Sequence, residues 1–213
     1  MLQGLDVSSS QGSMDWQAVR NAGITFAYLK ATEGLQTDPN RQIRQDYFHA
    51  HWPQIQAAGL YRGAYHFFRA NLDSERQADV FLQMVGPLHT NDLPPMLDVE
   101  TTDGADPALI ALRVGRWLEK VEQETGVTPI LYTYTRFWND QVGADLSAYP
   151  LWIASYGSNT HTAPVVPNRT PLLPNGWDGW TFWQYTSRGQ VAGVQTEVDL
   201  DLFSGSLDDL QNL

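Results

Sequence analysis

"LPPMLDVETTDG", residues 93–104, is the stretch on which the reading of this chain turns. Two prolines open it, an apolar run encloses an aspartate, a glutamate follows two places on, and polar residues close it. Read as a strand, its side chains alternate between faces, so Asp98 and Glu100 share one face while Leu97 and Val99 share the other. Same-face neighbours two apart have Cβ atoms roughly 6–7 Å from each other. Two ionised carboxylates at that distance repel, and the pKa of one rises. A raised acid beside a charged partner is the division of labour that glycosidic cleavage requires.

Outward from this stretch, strands and helices alternate. Residues 24–32 are β-branched and aromatic and read as a strand, and 3–9, 60–68, 129–134 and 151–156 read as further strands. Between them, residues 13–23 form a predicted helix capped by Ser13 and ended by Gly23, and 40–59 have helical spacing with a break near Pro53. Residues 73–86 make a helix capped by Asp73 or Ser74, 107–125 another, and 135–142 a short helical piece. Residues 157–179 are rich in Pro, Asn, Thr and Gly and read as a long loop. Strands at 180–186 and 197–203 follow with no convincing helix between them. The fold class is therefore α/β, an irregular TIM-like barrel of about five βα units with a β-rich final third. Residues 1–213 are expected to form one domain.

Composition excludes several functions. Thirteen basic against 24 acidic residues give a net charge of −11, the opposite of a nucleic-acid footprint. With no cysteine there is neither a disulfide framework nor a Cys-ligated metal site. Residues 1–10 carry no basic and apolar signal pattern, and no run of about 18 apolar residues occurs, so neither a signal peptide nor membrane insertion is expected. Eight tryptophans and nine tyrosines suit sugar rings, which offer C–H faces for stacking and hydroxyls for hydrogen bonds, and also suit a core.

In barrels of this kind chemistry sits at the C-terminal strand ends. That rule selects Asp6, Asp98, Glu100 and Asp199 as an acid cluster at one mouth. An oxygen-rich cluster also suits a hard divalent cation, but neither H-E-x-x-H nor an EF-hand loop is present, and no metal or cofactor is expected.

Several stretches together resemble the Chalaropsis-type lysozymes, glycoside hydrolase family 25. They are "GLDVSSSQGSMDW" (4–16), "FAYLKATEG" (26–34), "AGLYRGAYHFF" (58–68), "PPMLDVE" (94–100), "PILYTY" (129–134), "LWIASY" (151–156), "WTFWQYT" (180–186) and "VDLDLF" (198–203). The resemblance implies a flattened barrel of five βα units plus three strands, and retaining cleavage of the β-1,4 bond between muramic acid and glucosamine in peptidoglycan. It implies that Glu100 is the proton donor and Asp98 its partner carboxylate, with Asp6 and Asp199 in support. Two roles for Asp98 fit: direct nucleophile, or stabiliser of an oxazolinium ion formed by the substrate's own N-acetyl group. One position departs from the pattern. The last-strand motif usually reads V-D-x-N, and its fourth residue here is Asp201.

Tyr65 is expected to face inward beside the reacting centre, and Tyr132, Tyr134, Trp152, Trp183 and Tyr185 are candidate sugar platforms near strand ends. Lys30 and Glu33 are placed for an ion pair at the rim. The partner implied is the peptidoglycan glycan strand, met in the cell wall, the periplasm or outside the cell. The sequence identifies no immunity or delivery partner. The acidic balance is expected of a catalytic part of a larger protein, or of a phage lysin or interbacterial toxin delivered directly to thin peptidoglycan. A non-catalytic glycan-binding module on the same barrel is the competing reading.

Overall fold

Eight strands close into one barrel in the computed structural model, which describes residues 1–158 and 162–213. In chain order the elements are β1 (Leu2–Val7), α1 (Trp16–Asn21), β2 (Phe26–Glu33), α2 (Arg41–Ala57), β3 (Tyr61–Phe67) and α3 (Ser74–Val85). Next come β4 (Met96–Asp98), α4 (Pro107–Thr125), β5 (Ile130–Tyr134), α5 (Thr135–Phe137) and β6 (Leu151–Ala154). The chain closes with β7 (Phe182–Gly189), β8 (Val198–Phe203) and α6 (Leu207–Gln211). From β1 to β7 neighbouring strands are parallel, and β8 closes the barrel antiparallel to both β7 and β1. The expected βα units and β-rich end are both present, as is the long connection between β6 and β7, of which residues 159–161 lie outside the described residues.

Three local expectations need correction. The first helix is capped by Asp15, whose side chain accepts from the Ala18 N–H at 3.0 Å, so it starts at Trp16 and Ser13 lies outside it. No break occurs at Pro53. The buried residues of α2 (Tyr47, Phe48, His51 and Ile55) lie on both sides of the proline, and packing them holds one continuous helix despite the missing N–H. The strand at the opening stretch is short, ending at Asp98, so Glu100 lies just past it. The barrel hydrogen bonding nevertheless continues: the Phe68 N–H donates to the Asp98 carbonyl, and the Val99 N–H to that of Tyr132.

Strand alternation sorts the side chains into two cores. Outward residues such as Leu5, Leu29, Leu97, Leu131 and Ile153 pack beneath the helices, against Phe81, Val114 and Trp117. Inward residues fill the barrel with rings: Phe26, Tyr28, Trp152, Phe182 and Phe203 are all buried. Trp152 stacks on Phe182 with centroids 4.8 Å apart, and Tyr28 meets Trp152 edge-on at 4.8 Å. Room for these rings comes from two glycines. A Cβ on Gly4 would stand 2.1 Å from the Phe26 ring, and one on Gly63 would stand 2.2 Å from the Tyr28 ring. The interior is thus a solid aromatic floor, and only the end above it is left for chemistry.

Candidate active site

Above the floor opens a cleft of about 230 Å³, lined among others by Asp6, Asp98, Glu100, Asp199, Tyr65 and Tyr132. The four acids named from the sequence are brought together, and strand register explains how. Asp6 pairs with Asp199 across β1 and β8, and Asp98 lies between Phe67 of β3 and Tyr132 of β5. Tyr65 is inward, as expected, and burial followed by the charges of Asp6, Asp98, Asp199 and Glu100 pushes its hydroxyl well above the usual phenol range.

Burial raises every one of these acids. Burial, then the charge of Glu100, lifts Asp98 well above the carboxylate range. Burial also raises Glu100, against the opposing pull of Lys30 and Arg69. Asp199 is pushed up to about 8 by burial and then by Asp6 and Glu100. Asp6 reaches only about 6, because burial is opposed by its hydrogen bonds to Gln184 and Asp201. The site therefore holds protons at neutral pH that isolated carboxyls would have lost.

Two polar networks frame the cleft. On one side, Gln184 donates from Nε2 to Asp6 Oδ2 at 2.6 Å, while its Oε1 accepts from the hydroxyls of Tyr132 at 2.8 Å and Tyr156 at 2.6 Å. On the other, Lys30 donates to Glu33 at 2.7 Å and its ammonium lies 4.3 Å from the centre of the Phe67 ring. Arg69 pairs with Glu33 and with Asp103, and Asp103 accepts from the Ala70 N–H at 2.8 Å. The predicted rim ion pair exists and belongs to this larger network, which ties the β2, β3 and β4 ends together.

The candidate platforms divide differently. Tyr132 lines the cleft. Tyr134 is 38% exposed and packs its ring against Phe137, outside the cleft lining. Trp152 faces inward but belongs to the floor, fully buried, with its Nε1–H donating to Asp201 at 3.2 Å. Trp183 and Tyr185 point out of the barrel because they alternate with inward Phe182 and Gln184. Trp183 donates to the Ser155 carbonyl at 2.8 Å and carries Arg169 on its face, while the Tyr185 hydroxyl donates to Gln3 at 3.0 Å. As platforms, Trp152, Trp183 and Tyr185 are corrected: all three are buried and present no face to a sugar.

The sequence reading missed Gln184, Tyr156, Ser8 and Phe67, all of which line the cleft. For Gln184 the signal was available in the alternation of "TFWQYT", which sets Phe182 and Gln184 on one face. Among the described residues, no group of three or more His, Asp or Glu side chains is arranged to hold a metal ion. Nor is any helix among them long and apolar enough to cross a membrane.

A cleft of crowded carboxyls at the C-terminal mouth of a βα barrel is the equipment of a glycoside hydrolase. The chain belongs to glycosyl hydrolases family 25, whose profile matches residues 5–194. It is 36% identical to the protein YegX of Escherichia coli strain K12 over 99% of this chain and 72% of that one. Lysozyme M1 of Streptomyces globisporus is 34% identical, over 96% of this chain and 68% of its own. The solved bacterial lysozyme from Streptomyces coelicolor superposes with a TM-score of 0.86 at 33% identity, covering 100% of this chain and 96% of that one.

Proposed function

We propose that the protein is a muramidase that cleaves the β-1,4 bond between N-acetylmuramic acid and N-acetylglucosamine of peptidoglycan, with retention of configuration. The observation that carries this reading is that Asp98 and Glu100 line one cleft at the end of β4. Glu100 is the proton donor. It is partly open to the cleft, and its burial favours the protonated form that a leaving group needs. Asp98 lies deeper and in its ionised form, which the charge of Lys30 favours against burial and Glu100, meets the positive charge that develops at the anomeric carbon, either by attacking it or by steadying an oxazolinium ion. A glycosyl adduct trapped on Asp98 identifies the first route, and its absence with a retained product the second. Tyr65 and Tyr132 present hydroxyls to the same space.

The net charge of −11 opposes approach to walls rich in anionic polymers. The substrate is accordingly thin peptidoglycan reached directly, as by a phage lysin or an interbacterial toxin. The deciding experiment measures reducing-end release, with chelator present, from purified thin sacculi and from teichoic-acid-bearing walls at low salt. Wild type is expected to release muropeptides ending in reducing muramic acid, faster from sacculi, and Glu100→Gln to be slower by roughly 10²-fold or more. Unchanged activity in Glu100→Gln would move the acid elsewhere in the cluster. Binding without release by the wild type would leave a glycan-binding module, and equal rates on both substrates would remove the delivery argument.

A further inference from the structure

One carboxyl in the barrel lies outside the cleft that the other four acids line. Asp201 lies on β8 one layer below Asp199, opposite Gly4 and beside Gln184, and is fully buried. Its Oδ1 accepts from Trp152 Nε1 at 3.2 Å. Its Oδ2 is buried and meets no N–H or O–H donor, and the carboxyl next to it is that of Asp6, which accepts from Asp201's strand partner Gln184. Two adjoining carboxylates repel and neither offers the other a donor, so a proton on one of them is what satisfies the orphaned oxygen.

Which one holds the proton follows from their surroundings. Asp6 lines the open cleft and accepts a 2.6 Å bond from Gln184, an arrangement that favours its ionised form. Asp201 touches no cation in its hydrogen-bonding and has only the longer Trp152 bond. Around it stand Asp6 from β1, Tyr28 from β2, Tyr185 from β7 and its own neighbour Asp199, all groups that are neutral or negative. We propose that Asp201 is a neutral carboxylic acid whose Oδ2–H donates to Asp6, making it a positioning residue that fixes Asp6 in the site.

The bonds then run in one direction. Trp152 donates to Asp201, Asp201 donates to Asp6, Gln184 donates to the other side of Asp6, and Tyr132 and Tyr156 donate to Gln184. Asp6 becomes the acceptor on which both ends of this network converge. An asparagine at position 201 would offer the same acceptor to Trp152 and an N–H to Asp6. The proton on Asp201 thus does the work of an amide hydrogen, but one that alkali can remove. Burial, with Asp6 and Asp199 next, holds this acid well above the carboxylate range, in agreement with the geometry.

Two readouts on the folded protein test this without reference to turnover. An infrared difference between wild type and Asp201→Asn at neutral pH is expected to show loss of a protonated-acid carbonyl band; loss of a carboxylate band instead would overturn the proposal. The melting temperature is the second. An acid whose folded pKa is raised contributes stability below its unfolded pKa and loses it as pH rises through the folded pKa. Asp201→Asn should therefore match wild type near pH 4 and melt increasingly above it toward pH 8, whereas parallel curves would refute a buried neutral acid.

The third arm rests on the muramidase reading. Asp201→Asn is expected to keep sacculus hydrolysis within about threefold of wild type at neutral pH and to hold it further into alkali, while Asp201→Leu, with no donor, loses about tenfold or more. Equal loss in both variants would overturn the positioning role. No hydrolysis by wild type would count against the muramidase reading alone, since the infrared and melting results still decide the state of Asp201. Should Asp201→Leu fail to fold, the asparagine variant's pH profile settles the same point.

Discussion

The parallel arc from β2 to β5 and the closing pair β7 and β8 build the same barrel by different rules. In the arc each strand is followed by a helix, pairing is parallel, and the mouth always lies at the strand's end. No helix joins β7 to β8, and β8 runs from the mouth downward because it is antiparallel. Asp199, early in β8, therefore stands at the rim beside Asp6, while Asp201, two residues later, stands beneath it. Around the arc a position's depth is read from its distance to the end of the strand. In β8 that measure runs backward.

The sharpest challenge to this comparison is Gln184→Leu in the closing pair. It strips a donor from Asp6 and the acceptor from two tyrosines while keeping most of the volume. Activity on sacculi is expected to fall by about tenfold or more, with a stability loss of roughly 1–3 kcal/mol for the groups left unpaired. A variant as active as wild type would show that the acids contributed by the arc work without help from the closing pair.

Next in size is a pH effect of opposite sign in the two regions. His66 in β3 is buried between Thr32 and Gln77, and burial holds it down to about 4. Its unfolded value is higher, so its contribution is present above about pH 6.5 and is lost as pH falls through the folded value. Asp199, pushed up to about 8, behaves in reverse and loses stability as pH rises toward that value. Melting curves should therefore sag on the acid side in Asp199→Asn as in wild type, while the variant gains steadily on wild type from about pH 4 to about pH 8. A constant difference across that range would remove Asp199 from this role. The smallest effect expected is on catalysis by Trp183→Phe. Losing the bond to Ser155 should cost about 1 kcal/mol of stability with KM and kcat within twofold of wild type. A large rise in KM would restore this ring as a sugar contact.

The same contrast explains what was legible in the sequence. The arc was readable because period-two strands and amphipathic helices alternate, and α4 in particular occupies the residues 107–125 that its pattern predicts. That Asp98 and Glu100 share one cleft was legible for the same reason. Trp183 and Tyr185 were misplaced because their aromatic character outweighed the alternation that points them outward, and Gln184 between them carried no obvious chemistry alone. Trp152 had the right face and the wrong depth, which only packing against Phe182 and Tyr28 determines. The proline in α2 misled because local propensity yields to tertiary burial.

The direction of β8 also settles where the chain's two ends stand. Leu2 at the start of β1 pairs with Phe203 at the end of β8, and α6 follows at once, placing Leu210 in the inner core while Gln211 bonds to Tyr61 at the start of β3. Both ends thus leave from the face opposite the cleft. A tag, surface tether or second module joined at either end would trail behind the barrel and leave the mouth free to travel along a glycan strand.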